Sequence, residues 1–208
     1  MRLLLLGATG LVGSHVMDMA IADERIDEVV APVRRAVPAR AGLTAPQVDF
    51  DQLPEDAAWW QADVAICALG TTMKKAGSRE AFRRVDHGYA LQCARLAHRH
   101  GTRAFVLNSA MGADPASRFF YNQVKGDLER DLQAVGFDSL TLVRPGLIGG
   151  EREEFRLGEH TATLVLGALG PVLPRKWRIN PAARIAALMI EAAVAGRTGV
   201  HVVESGDI

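Results

Sequence analysis

Short apolar runs recur along the whole chain, and most of them carry no polar residue between their apolar ones. They fall at residues 3–6, 29–33, 48–50, 64–69, 105–107, 140–143 and 200–203. A strand with one face in water alternates apolar and polar residues. A nearly continuous run implies a strand covered on both faces. Between these runs lie longer stretches with helical spacing. Ser78 is placed to cap a helix through residue 97, with Phe82, Val85, Tyr89 and Cys93 along one side. A second helix, 119–135, should end before Gly136, and Asn180-Pro181 should open a late helix that closes near Gly196. Strand and helix therefore alternate, which predicts an α/β, doubly wound architecture: a mainly parallel sheet of about seven strands with helices on both faces. No internal repeat or low-complexity linker interrupts the pattern, so residues 1–208 read as a single domain.

Lys and Arg number 24 and so do Asp and Glu, giving a formal net charge of +0. That balance argues against a broad electrostatic footprint for nucleic acid or an anionic membrane, though not against a local basic patch. The two cysteines, Cys67 and Cys93, have no metal-ligand or CxxC spacing. They read as reduced, buried small hydrophobes, which points to a cytoplasmic protein. The histidines are scattered, and His98 and His100 do not share a helix face, so no metal site is expected. Residues 3–6 run straight into glycines, and the apolar stretch 161–173 is broken by Gly167, Gly170 and Pro171. A membrane span needs about 20 apolar residues, so neither segment reads as one.

The first run leads into Gly7-Ala8-Thr9-Gly10-Leu11-Val12-Gly13 and then a helix. Glycines here allow a tight turn, a close approach to a pyrophosphate, and close packing of helix on strand. The helix N-terminus offers free amides and partial positive charge. Gly7, Thr9, Gly10, Leu11 and Val12 are thus candidate dinucleotide contacts. The spacing is GxxGxxG, and a purely structural turn is the competing reading. After the second run, where an acidic residue would bind ribose hydroxyls, the chain has Arg34-Arg35. Guanidinium groups there suit the 2′-phosphate of NADP(H); a solvated surface pair is the alternative. Asp49 can bond an adenine amine, or cap a helix starting near Asp51.

Tyr121 and Lys125 stand at i and i+4, one above the other on a helix. An ammonium beside a phenol favours the phenolate, which makes Tyr121 a candidate acid/base. Lys125 would also reach the nicotinamide ribose. Ser109, after the fifth run, is placed to hydrogen-bond a substrate carbonyl. Each feature alone is common; their order along the chain makes the set specific.

Taken together, residues 7–13, Val33-Arg34-Arg35, Cys67 to Thr72, Lys75-Ala76-Gly77, Val85-Asp86, Gly112-Ala113-Asp114, Tyr121 to Gly126 and Arg144-Pro145-Gly146 resemble the atypical short-chain dehydrogenase/reductases, especially the Tat-interacting oxidoreductase-like branch. The resemblance covers about the first 150 residues. It implies a Rossmann fold, NADP(H) as cofactor, and Ser109, Tyr121 and Lys125 as catalytic residues. It also implies that Leu69 and Gly70 pass beside the cofactor and that Pro145, Gly146 and Leu147 flank the nicotinamide. Two departures stand out. Asp86 lies where related enzymes often carry an asparagine that supports a proton relay, and the C-terminal part is short for a substrate domain.

The expected function is NADPH-dependent reduction of a carbonyl in a small organic molecule, by a monomer or homodimer. The alternative is a non-catalytic NADP(H)-binding regulator that reports redox state to a protein partner. Residues 151–178 are expected to shape the substrate pocket. Within them, Arg175-Lys176-Trp177-Arg178 reads as a solvated turn or a site for an acidic substrate. Lys74-Lys75 reads either as surface or as a phosphate contact, and one ring of Trp59-Trp60 should pack on the sheet.

Overall fold

The computed structural model describes residues 1–149 and 179–208. In chain order its strands are β1 (Arg2–Leu6), β2 (Glu28–Val30), β3 (Leu43–Thr44), β4 (Val64–Cys67), β5 (Ala104–Asn108), β6 (Ser139–Arg144), β7 (Ile148–Gly149), β8 (Asn180–Pro181) and β9 (Gly199–Glu204). Seven of them form one sheet in the order β3-β2-β1-β4-β5-β6-β9, with every pair parallel. This is the Rossmann order with an added edge strand, and its direction of winding reverses between β1 and β4.

The uninterrupted apolar runs are explained by two cores, one on each face of the sheet. Leu4, Leu6, Ala65, Cys67, Phe105, Leu107, Leu140 and Leu142 point to one face. There they pack on α4 (Ala90–Arg99) and α5 (Phe120–Gln133). Leu3, Leu5, Val64, Ile66, Val106 and Val143 point to the other. That side is covered by α1 (Leu11–Ala22) and by a helix at Ala182–Ala195. A strand buried on both faces has no position at which a polar side chain reaches water. Trp60 is fully buried, with its ring nitrogen donating to Pro54 O at 2.8 Å, while Trp59 is half-buried against it.

Three boundaries differ from the sequence reading. Residues 48–50 are not the third strand. That strand lies earlier, at Leu43–Thr44, and only a single bridge, Val33 to Gln47, continues the pairing. Pro32 and Pro46 each lack the N–H that a longer ladder needs. The helix expected over 78–97 is present and Ser78 does cap it, accepting from Ala81 N at 3.0 Å. It is not uniform, however. α2 (Met73–Ala76) precedes it, and α3 (Arg79–Arg83) joins α4 through a π-helical turn at Arg84–Tyr89. Within that turn Asp86 is buried and Val85 only half-buried. The last helix, α6 (Ala182–Ala195), begins where Asn180-Pro181 indicated and ends on Gly196 with φ +51°, but Asn180 makes no cap. Its buried side chain instead accepts from Gly146 N at 2.7 Å and Ser205 Oγ at 2.8 Å. It thereby ties the 145–147 loop to the C-terminus. β7 and β8 pair beside this latch. Among the described residues no helix is long and apolar enough to cross a membrane.

Candidate functional site

At the reversal point, beyond the carboxyl ends of β1 and β4, lies a cavity of about 640 Å³. That is within the usual range of small-molecule sites. One wall is the turn from β1 to α1: Gly7, Thr9, Gly10, Leu11 and Val12 all line the cavity. The turn is backbone against backbone. Gly7 has φ +87°, and a Cβ there would meet the Ala68 carbonyl carbon at 2.6 Å. A Cβ on Gly13 would lie 2.0 Å from Gly7 O, so helix and turn touch only because residue 13 has no side chain. No side chain caps α1 and its first turn holds no acidic residue. Its leading amides are left for an anion, an arrangement that fits a dinucleotide pyrophosphate.

Arg34 and Arg35 line the same cavity beyond β2. Both are exposed, and among the described residues no acidic side chain accompanies them on that wall. Asp49 is not brought in. It is exposed and its Oδ1 accepts from Asp51 N at 2.9 Å, closing a turn rather than a helix, while its neighbour Phe50 reaches the cavity. Leu69, Gly70 and Lys75 also line it.

The opposite wall is built from α5. Its close approach depends on Gly126, where a Cβ would stand 2.2 Å from the Asp114 carbonyl carbon. Tyr121 and Lys125 both open into the cavity. Tyr121 is 41% exposed, its ring centroid 5.9 Å from that of Phe82. Lys125 is buried, and its Nζ lies 2.9 Å from Asp86 Oδ1. The other oxygen of Asp86 accepts from Thr71 N at 2.7 Å. Burial alone would lower the lysine pKa, but the Asp86 carboxylate, helped by Tyr121, outweighs it and holds the group above its ordinary value. Lys125 is an ammonium ion despite having almost no contact with water.

Ser109 lies in the cavity between this pair and β6, but its proton is committed: Oγ donates to Glu129 Oε1 at 2.5 Å. Glu129 is buried on α5 and receives Arg144 through Nε at 3.0 Å and through its terminal nitrogen at 2.5 Å. A hydroxyl has one proton to give. In this arrangement Ser109 presents lone pairs, not a donor, to the cavity. Beside it, Asn108 also lines the cavity, and its Oδ1 is buried without a partner. An orphaned buried amide oxygen at a cavity wall is a mark of a ligand-binding position. Sequence reasoning passed over Asn108 and Glu129. The only sequence signal was Asn108's place at the end of a strand run.

Pro145, Gly146 and Leu147 do not line the cavity; the next residue, Ile148, does. Their backbone is used structurally. Pro145 O accepts from Met111 N at 2.8 Å, Gly146 N is held by Asn180, and Leu147 O accepts from Asn180 N at 2.8 Å. The expected pocket segment 151–178, with its basic cluster at 175–178, lies outside the described residues.

Comparison with known proteins identifies the family and the fold. The family model described as NAD(P)H-binding matches residues 7–167. The fmp52 protein of Emericella nidulans, named mitochondrial, is 37% identical over 178 residues, covering 81% of this chain and 76% of its own. Protein HTATIP2 of Rattus norvegicus is 37% identical over 178 residues, covering 83% and 72%. Among solved structures, MoeE5 in complex with UDP-glucose and NAD superposes with a TM-score of 0.75 at 14% identity, covering 98% of this chain and 75% of that one. The reductase domain of PhqB from Penicillium fellutanum gives 0.68 at 19%, covering 97% and 65%. These two show the fold alone. The cytoplasmic placement inferred from the cysteines is overturned, because fungal relatives from several species are named mitochondrial. Both thiols are buried, and burial holds Cys67 up at about 11 and Cys93 well above its ordinary value. Inert thiols of this kind report packing and say nothing of compartment. With a glycine turn over an uncapped helix, YxxxK across the cavity and these relatives, the chain belongs to the NAD(P)H-binding Rossmann family of oxidoreductase type, in the group of short-chain dehydrogenase/reductase relatives that includes FMP52 and HTATIP2.

Proposed function

We propose that the protein is an NADPH-dependent oxidoreductase that reduces a carbonyl of a small organic molecule. The observation that carries this reading is a phenol and a buried, charged lysine opening into the same cavity as the glycine turn. The bound cofactor would supply the hydride. Tyr121 would give its proton to the developing alkoxide, and Lys125 would hold the ribose and stabilise the phenolate left behind. Ser109, with its proton on Glu129, would accept a hydrogen bond from the substrate, leaving Asn108 as the neutral side chain able to donate to its oxygen. Arg34 and Arg35 support the phosphorylated cofactor, since both are exposed at the cavity and, among the described residues, no carboxylate stands beside them on that wall.

The test is NADPH oxidation, followed by nicotinamide absorbance, with a panel of aldehydes, ketones and quinones. Wild type and Tyr121→Phe run side by side after fluorescence shows that both bind NADPH. Turnover that disappears in Tyr121→Phe supports the reductase. Undiminished turnover in that variant removes Tyr121 from the mechanism, and tight binding without turnover favours a redox-reporting regulator.

A further inference from the structure

We propose that Asp86 is a positioning residue that sets the direction of proton transfer at Tyr121: as the counter-ion of Lys125, it holds the proton on the phenol more tightly than an uncharged side chain would. The inference rests on the reading of Tyr121 as the proton donor, but its test needs no turnover.

A lone ammonium beside a phenol stabilises the phenolate. Here the ammonium is not alone. Lys125 Nζ and Asp86 Oδ1 are 2.9 Å apart, with side chains only 5% and 2% exposed. In so dry a setting the pair acts on Tyr121 as a dipole, and much of the attraction an isolated ammonium would exert is cancelled. The fold is arranged to make this contact. Asp86 lies within the π-helical turn at Arg84–Tyr89, on the buried face it shares with Phe82 and Ala90, four residues to either side. The loop after β4 then closes over the pair. A Cβ on Gly70 would lie 3.3 Å from Asp86 Oδ1 and 3.9 Å from Lys125 Nζ, and Thr71 N–H fixes the second carboxylate oxygen.

Few other groups can set the ionisation. From β4 comes Cys67, whose thiol burial keeps it neutral, and from α2 comes Lys75, on the wall of the same cavity. From α3 comes the uncharged ring of Phe82, and from β5 the neutral Asn108 and Ser109. Glu129, on α5 itself, is neutralised by Arg144. Among the described residues Asp86 is therefore the one carboxylate on the cavity wall. Reduction breaks the phenol O–H bond and passes the proton to the substrate oxygen, while the hydride comes from NADPH. Oxidation of an alcohol needs the phenolate as base. Holding the proton on Tyr121 favours reduction at neutral pH and moves oxidation to alkaline pH.

The chain has two tyrosines, Tyr89 and Tyr121, so Tyr89→Phe leaves a single phenol. Its ionisation is read by near-ultraviolet absorbance in the absence of cofactor and substrate. In that background Asp86→Asn should lower the midpoint by about one pH unit, a tenfold change, and Lys125→Gln should raise it by a similar amount. The double variant Asp86→Asn/Lys125→Gln exchanges one neutral pair for another, so its midpoint should stay within about half a pH unit of the parent. An unchanged midpoint in Asp86→Asn overturns the proposal. If either single variant fails to fold, the double variant decides alone: a rise of a full pH unit or more shows that Asp86 was not compensating the lysine. A protein that obeys these shifts yet oxidises no NADPH would fail as a reductase without touching this inference.

Discussion

The two walls of the cavity are built in opposite ways. The β1–α1 wall is made of backbone: glycines bring carbonyls and amides together, and no charged side chain takes part. The α5 wall is made of side-chain charge, with two ion pairs that each place one member on α5: the buried Asp86–Lys125 and the partly buried Glu129–Arg144. A backbone wall binds what every dinucleotide shares, and it tolerates change only where no Cβ intrudes. A charged wall tunes proton positions, and each of its members depends on a partner from another element. The cofactor side is thus rigid and general, while the chemical side is adjustable.

The contrast can be broken most directly at Lys125. Lys125→Met leaves Asp86 buried without its counter-ion and should cost about 3–5 kcal/mol in urea unfolding; the double variant with Asp86→Leu should recover most of it. A single loss under 1 kcal/mol would mean that the pair is far better hydrated than its burial indicates. On the other wall, Gly13→Ala forces a Cβ against the Gly7 carbonyl and should cost about 3 kcal/mol with loss of NADPH binding. If NADPH affinity survives, the turn is more pliable than backbone contact allows. Arg34→Ala should weaken NADPH binding by roughly tenfold or more and leave NADH unchanged, as measured by nicotinamide fluorescence. Equal loss for both cofactors would move the arginine away from the 2′-phosphate.

The smallest expected effect concerns alkaline stability. Cys67 is held up at about 11 in the folded protein against an ordinary value of 9.0. The unfolded chain releases that proton first, so stability is intact below about pH 9 and falls as pH rises toward 11. The loss should reach about 1 kcal/mol by pH 10, and Cys67→Ala should flatten the slope between pH 9 and 11. A slope unchanged in that variant would assign the alkaline loss elsewhere.

How much could be read beforehand follows the same division. The glycine turn, Arg34-Arg35 and the Tyr121–Lys125 spacing are local, and each declares itself within a few residues. The strands were legible because burial on both faces leaves a continuous apolar run. What escaped depends on distant partners. Asp86 meets Lys125, and Ser109 meets Glu129, only after the sheet and helices have packed. Asp86 stayed hidden because a charged residue does not join an apolar pattern, and its neighbour Val85 does. Asn180-Pro181 marked the start of the last helix by a good local signal, but nothing nearby announces the bonds of Asn180 to Gly146 and Ser205. Residues 48–50 fall outside the third strand because Pro46 withholds an N–H from the ladder and only the Val33–Gln47 bridge follows it.

The all-parallel sheet also bears on when the site comes into being. Among the described residues no neighbouring strands are joined by a hairpin, and the two that frame the cavity pair Leu3 with Val64 and Leu6 with Cys67. The crevice for the cofactor cannot exist until a long stretch of chain has been made and has closed on itself, which is intrinsically slow. An emerging chain therefore has nothing with which to hold a dinucleotide, and only the completed sheet does. The cofactor should act as a selective ballast for the folded state, deepening its stability in proportion to the logarithm of its concentration. The cellular supply of nicotinamide nucleotide would then help decide how long each copy of the protein survives, as well as how often it works.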